Sequence, residues 1–120
     1  MVLETSPLPS NIRLVRLVAS GLGSGLGLTV EEIEDLRIAV DEACHWAVSN
    51  DVVDLLRLSF STRADELSIC LTAVLRREPD PMPAATRQIL DAVTGEWSLQ
   101  RDGLTLELRM SPRRDGTGAP

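Results

Sequence analysis

The sequence predicts a two-layer α/β sandwich, with the helices on one face of a mainly antiparallel sheet. Three observations carry that reading. A capped segment at 29–49 repeats its apolar residues at helical spacing. Residues 56–73 alternate apolar and polar through a hairpin with one buried face. Two further strands, at 97–101 and 104–110, are joined through Asp102-Gly103 as a tight turn. The element order is strand, two helices, two strands, helix, two strands.

Val-Leu-Glu-Thr-Ser at 2–6 fits a short edge strand that stops at Pro7, because proline donates nothing to a ladder. Ser10 reads as the N-cap of a first helix over 11–22, with Leu14, Val15, Val18 and Leu22 on one face and Arg13 and Arg16 on the other. Gly21, Gly23, Gly25 and Gly27 predict fraying at its end, since each interior glycine costs a helix about 1 kcal/mol relative to alanine. The glycine run closes a helix instead of following a strand, which argues against a phosphate-binding loop. Thr29 and Glu32 form a capping box, and Ile33, Leu36, Val40, Ala43 and Ala47 continue the second helix to about Ser49. Acidic Glu31, Glu32, Glu34 and Asp35 suit its positive first turns.

In the hairpin, Leu56, Leu58, Phe60, Leu67, Ile69, Leu71 and Ala73 point one way, with the polar link at 63–66 between the strands. Pro79, Pro81 and Pro83 break the chain before a short helix at about 84–93, where Ile89, Leu90 and Val93 can cover the sheet. The polar, Gly- and Pro-rich residues 111–120 read as a disordered tail after a single domain at 1–110.

The 120 residues suit one core, 43% hydrophobic and aliphatic, since Phe60, Trp46 and Trp97 are its aromatics and tyrosine is absent. A net charge of -6 repels phosphate backbones and argues against direct nucleic-acid binding; a basic partner is favoured. Neither an export signal nor a bilayer-spanning run is found, so a cytoplasmic location with no membrane is expected. Cys44 and Cys70 lack metal-ligand spacing and read as small core residues.

Residues 36–48 read Leu-Arg-Ile-Ala-Val-Asp-Glu-Ala-Cys-His-Trp-Ala-Val. This segment resembles the N-box helix of the GHKL ATPase superfamily, and specifically that of the anti-sigma-factor serine kinases of the RsbW and SpoIIAB type. A proline before the first helix, Arg-Leu-Val-Ala-Ser at 16–20 and the acidic capped start of the second helix add to the resemblance, which covers roughly residues 1–75. It implies a Bergerat (GHKL-like) sandwich. The family's motif glutamate, the base in those kinases, falls on Glu42, and its metal-binding asparagine falls on Trp46. An indole offers only an N–H donor, whereas Mg²⁺ wants oxygen ligands, so Trp46 is expected to fill the space of the phosphates. Asn50, one turn beyond, lies at the wrong angle to substitute. The adenine-contacting aspartate falls near Ala73, Leu75 and Arg77, and no glycine-rich lid lies between Arg76 and Thr94.

From these departures the chain is expected to be a degenerate member: not an enzyme, with Glu42 vestigial, no metal and no cofactor. The resemblance further implies a regulator that sequesters a sigma factor and is countered by a STAS-domain anti-anti-sigma factor. Arg16 matches an arginine through which such proteins contact both partners, and Arg13, Leu14 and Leu17 fall on the same surface, which also suits a homodimer. His45 is expected to be solvated and weakly paired with Asp41. Two alternatives remain: an active kinase using ATP and Mg²⁺ to phosphorylate the anti-anti-sigma factor, and a scaffolding module unrelated to sigma factors.

Overall fold

The computed structural model describes residues 1–49, 51–64 and 66–114. Its elements are β1 (Val2–Thr5), α1 (Pro9–Gly25), α2 (Val30–Ser49), β2 (Val53–Arg63), β3 (Glu66–Leu75), α3 (Ala84–Val93), β4 (Thr94–Asp102) and β5 (Thr105–Pro112). The strands form one sheet in the order β1-β2-β3-β5-β4, every pair antiparallel. With the three helices layered on it, this is the expected sandwich.

Strand pairing lines up Leu3, Leu58, Leu71, Leu108 and Leu99 in one row across all five strands. The three central leucines are 0% exposed. One residue along each strand, the neighbouring row is Glu4, Arg57, Thr72, Glu107 and Gln100, because successive side chains point to opposite faces. The sheet therefore has an apolar inner face under the helices and a polar outer face. Arg57 pairs with Glu4, and Arg109 with Glu107, on that outer face.

The inner face is covered mainly by α2, which packs against α1, α3 and the sheet. Ala39, Val40, Ala43, Cys44 and Ala47 are buried along it. The capping box forms as the sequence predicts: Thr29 N–H donates to Glu32 Oε1 at 2.8 Å, and Glu32 N–H donates to Thr29 Oγ1 at 3.1 Å. The Glu32 side chain is buried and reached by Arg114 from the end of the sheet.

The first helix corrects the sequence reading in two ways. It starts at Pro9, with Leu8 as N-cap and no side-chain cap, so Ser10 is inside the helix. It also runs through the glycines to Gly25. Its buried face is Ile12, Val15, Ala19 and Gly23, leaving Leu14 at the surface. Gly23 explains the continuity: a Cβ there would lie 2.9 Å from Leu28 Cδ1 and 3.3 Å from Leu36 Cδ2, so the small residue seats the helix end against α2.

Strands β2 and β3 are longer than expected, and their turn passes through Ala64 at φ 53°. Gly103 at φ 59° makes the β4–β5 turn in the left-handed region that the Asp-Gly pair predicts. On α3 the fully buried residues are Thr86 and Leu90, while Ile89 and Val93 are only half-buried. Strand β5 extends to Pro112, so Ser111 and Pro112 belong to the sheet and not to a tail beginning at 111. Residues 115–120 of that tail, and Asn50, lie outside the described residues.

Removing the cap should test how much α2 depends on it. Thr29→Ala is expected to lower unfolding stability by about 1 kcal/mol in urea titrations, the usual cost of losing a threonine N-cap.

Candidate functional site

Two regions bring the sequence-selected residues together, and α2 supplies both. At its C-terminal end, Trp46 is 8% exposed and lies beneath the segment 76–83 that links β3 to α3. That segment is held from both sides. Arg76 pairs with Asp54 and Arg77 with Asp51, while Glu78 pairs with Arg101 at 3.0 Å. Arg76 N–H also donates to the Val52 carbonyl at 2.7 Å. Met82 is buried with Trp46, and the prolines cost the crossing segment little, since their φ is already fixed.

The indole divides the space at this end. A cavity of about 290 Å³ lies towards Ser49, Asp51 and Arg77, and another of about 310 Å³ towards Leu99 and Leu106. Glu42 is half-buried one turn before Trp46. Ala73 is buried mid-sheet between Leu56 and Leu106, and Leu75 is buried at the strand end. Trp46 stands where the resembled motif carries its metal-binding asparagine, and an indole presents no oxygen ligand to Mg²⁺.

The second region is the outer groove between α1 and α2. Arg13, Arg16, Leu17, Ser20, Ile33 and Arg37 line a depression of about 480 Å³. Leu17 is 68% exposed. Arg16 is less free than the sequence suggests: its Nε lies 3.4 Å from Asp41 Oδ1, both side chains being 34% exposed. The sequence signals Asp41 only as a neighbour of His45, because an interhelix pair depends on the rotation of α1 against α2. His45 does meet Asp41, with Nδ1 2.9 Å from its backbone carbonyl and 3.6 Å from its Oδ1. Ser20 and Arg37 complete the groove and read in the sequence as ordinary helix-surface positions, while Ile33, which spacing places on the apolar face of the second helix, is half-buried at the groove.

Cys44 sits beneath this ion pair. Burial pushes its thiol from 9.0 up to about 12, the Asp41 carboxylate adds to the rise, and Arg16 opposes it. Both cysteines are free, Cys44 buried and Cys70 half-buried on the outer sheet face.

No family model matches the chain. The serine-protein kinase RsbW of Bacillus subtilis (strain 168) is 50% identical over 42 residues, covering 35% of this chain and 26% of that relative. RsbW of Halalkalibacterium halodurans is 40% identical over 63 residues, covering 51% of this chain and 39% of the relative. The chain thus spans well under half the length of these curated relatives. Among solved structures, one of the RsbU and RsbW domains of a Mycobacterium tuberculosis protein aligns over 94% of this chain and 32% of its own, with a TM-score of 0.70 at 13% identity. That likeness speaks for the fold alone. The relatives' names correct one expectation: they are serine-protein kinases, which points to an enzyme and overturns the reading of the chain as a non-enzyme. No helix among the described residues is long and apolar enough to cross a membrane.

Two outcomes test this geometry. Trp46→Ala should cost about 3–5 kcal/mol of stability, as for other large buried aromatics, measured by urea unfolding. The folded chain holds the Cys44 proton to higher pH than the unfolded chain, so stability should fall as pH rises from 9.0 towards about 12. The sequence has no lysine or tyrosine, which leaves thiols as the side chains titrating in that window. Cys44→Ala should flatten the alkaline loss in unfolding curves recorded across that range.

Proposed function

We propose, from the chain's membership of the RsbW-type family of anti-sigma factors and serine-protein kinases, that it holds a sigma factor by protein–protein contact and yields it to a STAS-domain anti-anti-sigma partner. The observation that carries this is the α1–α2 groove. In a chain of net charge -6, Arg13, Arg16 and Arg37 converge there beside exposed Leu17 and half-buried Ile33. Such a surface suits a partner that presents acidic groups around an apolar contact, the reverse of the basic partner that the net charge alone favours. Release then follows from competition: two partners that need the same groove cannot both occupy it. The site of action is the cytoplasm, with no direct contact to nucleic acid.

Arg13, Arg16 and Leu17 are the residues on which binding rests. Because Arg16 is shared with Asp41, its guanidinium is already oriented when a partner arrives, which reduces the ordering cost of the contact. Leu17→Glu is expected to weaken binding of the cognate sigma factor by about tenfold or more, as for a central interface residue, in calorimetric titration. Unchanged affinity would remove the groove from the reading.

A second reading is an ATP-dependent serine kinase acting on the anti-anti-sigma factor, and the names of the relatives favour it. Glu42 is the residue matched to the family's base, and the reading requires Trp46 and the segment 76–83 to move aside. Titration with Mg-ATP, beside a Trp46→Asn variant and a phosphotransfer assay on the STAS-domain partner, separates the two. Phosphate transfer by the unaltered chain supports the kinase. Binding of the sigma factor with no dependence on ATP supports sequestration by contact alone.

A further inference from the structure

The chain holds one histidine, so His45 is its only side chain of the type that changes charge between about pH 5 and 8. It stands beside the ion pair of the α1–α2 groove. Its Nδ1 lies 2.9 Å from the Asp41 carbonyl, and since a carbonyl only accepts, Nδ1 carries the hydrogen of the neutral ring. A further proton is then taken up at Nε2, on a side chain that is 64% exposed. Uptake there leaves the Nδ1 hydrogen bond unbroken, so the ring gains its charge in place. The other group of a type that titrates near neutrality is the Met1 amine, which donates to the Phe60 carbonyl of β2 at 3.0 Å.

Asp41 Oδ1 lies between two nitrogens from different helices. Arg16 Nε on α1 is 3.4 Å away, and His45 Nδ1 on α2 is 3.6 Å away. Arg16 Nε and Asp41 Oδ1 are both buried, and neither has a hydrogen-bond partner among the described residues. Their contact is therefore one of charge without hydrogen-bond geometry, and it responds to the charge around it. The ionisable groups about His45 are Asp41, Glu42 and Cys44 on α2, and Arg13 and Arg16 on α1. Carboxylates and guanidiniums as types keep their charge between about pH 6 and 8. The Cys44 thiol, pushed up to about 12, stays neutral there.

We infer that His45 makes the groove proton-sensitive, with Asp41 as the link. While the ring is neutral, Asp41 cancels Arg16, and the three side chains together carry no net charge. Once the ring is protonated, one carboxylate is divided between two cations, and the trio carries one positive charge. Arg16 is still oriented by Asp41, but less of its charge is cancelled. The groove is lined by Arg13, Arg16 and Arg37 and, among the described residues, by no acid. It therefore draws the acidic groups of a partner more strongly as pH falls. The gain is modest, about threefold, because the side chains involved are partly exposed. This control acts on the groove proposed to hold the partner and rests on that reading of it.

Two measurements on the full chain test it. In an NMR titration of the free protein from about pH 8 to about 5.5, the ring signals of the sole histidine report its protonation. The Arg16 Nε–H signal should move with the same midpoint in the unaltered chain and stop following it in Asp41→Asn. In calorimetric titration with the cognate sigma factor, affinity should rise about threefold from about pH 7.5 to about 6. His45→Gln should keep the affinity seen at the higher pH and lose the rise. Titration of groups on the partner is common to both proteins and cancels in that comparison. An Arg16 signal that ignores the histidine, or a pH response that His45→Gln retains in full, overturns the inference. Coupled signals in a chain that binds no sigma factor at either pH keep the proton link and remove the proposed function. Binding with no response to pH reverses that result.

Discussion

The row of five leucines across the sheet is the constraint on which the rest of the molecule depends. Side chains alternate along each strand, so a slip of one residue in any pairing would exchange a leucine for the polar neighbour beside it, such as Arg57 or Thr72. The register is therefore held at every strand boundary by the same burial. Above this row α2 buries Ala39, Ala43 and Ala47, whose small side chains let the helix lie close to its neighbours. A layer so closely packed leaves little freedom in how α2 rotates, and that rotation positions every residue of functional interest.

Because its rotation is set by the core, α2 distributes its remaining side chains to different tasks. Asp41 turns towards α1, where it meets Arg16, and His45 lies exposed beside it on α2. Trp46 turns towards the segment 76–83. Two faces of the helix thereby meet separate surroundings, one the groove against α1 and the other the proline-rich crossing over the indole. In this chain the crossing segment is tied down by ion pairs among exposed side chains, each worth little individually in water.

The parts of the fold legible in the sequence are those where one signal dominates. Thr29 and Glu32 mark the start of α2 because a reciprocal cap needs both residues at that spacing. The alternation through Leu56, Leu58, Phe60 and Leu67, Ile69, Leu71 marks the hairpin because all six face inward. The phase of α1 was not legible: Leu14 and Val18 satisfy helical spacing as well as Ile12, Val15 and Ala19 do, and one of the core positions is a glycine, which hydrophobicity cannot register. The Trp46 substitution was readable from its place in the motif, but the segment that covers it was not, since prolines announce a break and not where the chain goes afterwards. The Arg16–Asp41 pair was hidden for a related reason. It joins residues on two helices, and its geometry follows from their packing.

The polar outer face of the sheet bears on how the molecule assembles itself. Glu4 with Arg57 and Glu107 with Arg109 neutralise one another in place, and Ser59, Ser61, Ser68 and Thr72 lie among them. A newly paired β2–β3 hairpin would thus be adhesive on one side only. The local hairpin contacts can form early, as short loops close fastest, and the helices that follow find a single surface on which to condense. The asymmetry acts as a guide for assembly before any helix has docked, and it discourages growing sheets on neighbouring chains from stacking back to back.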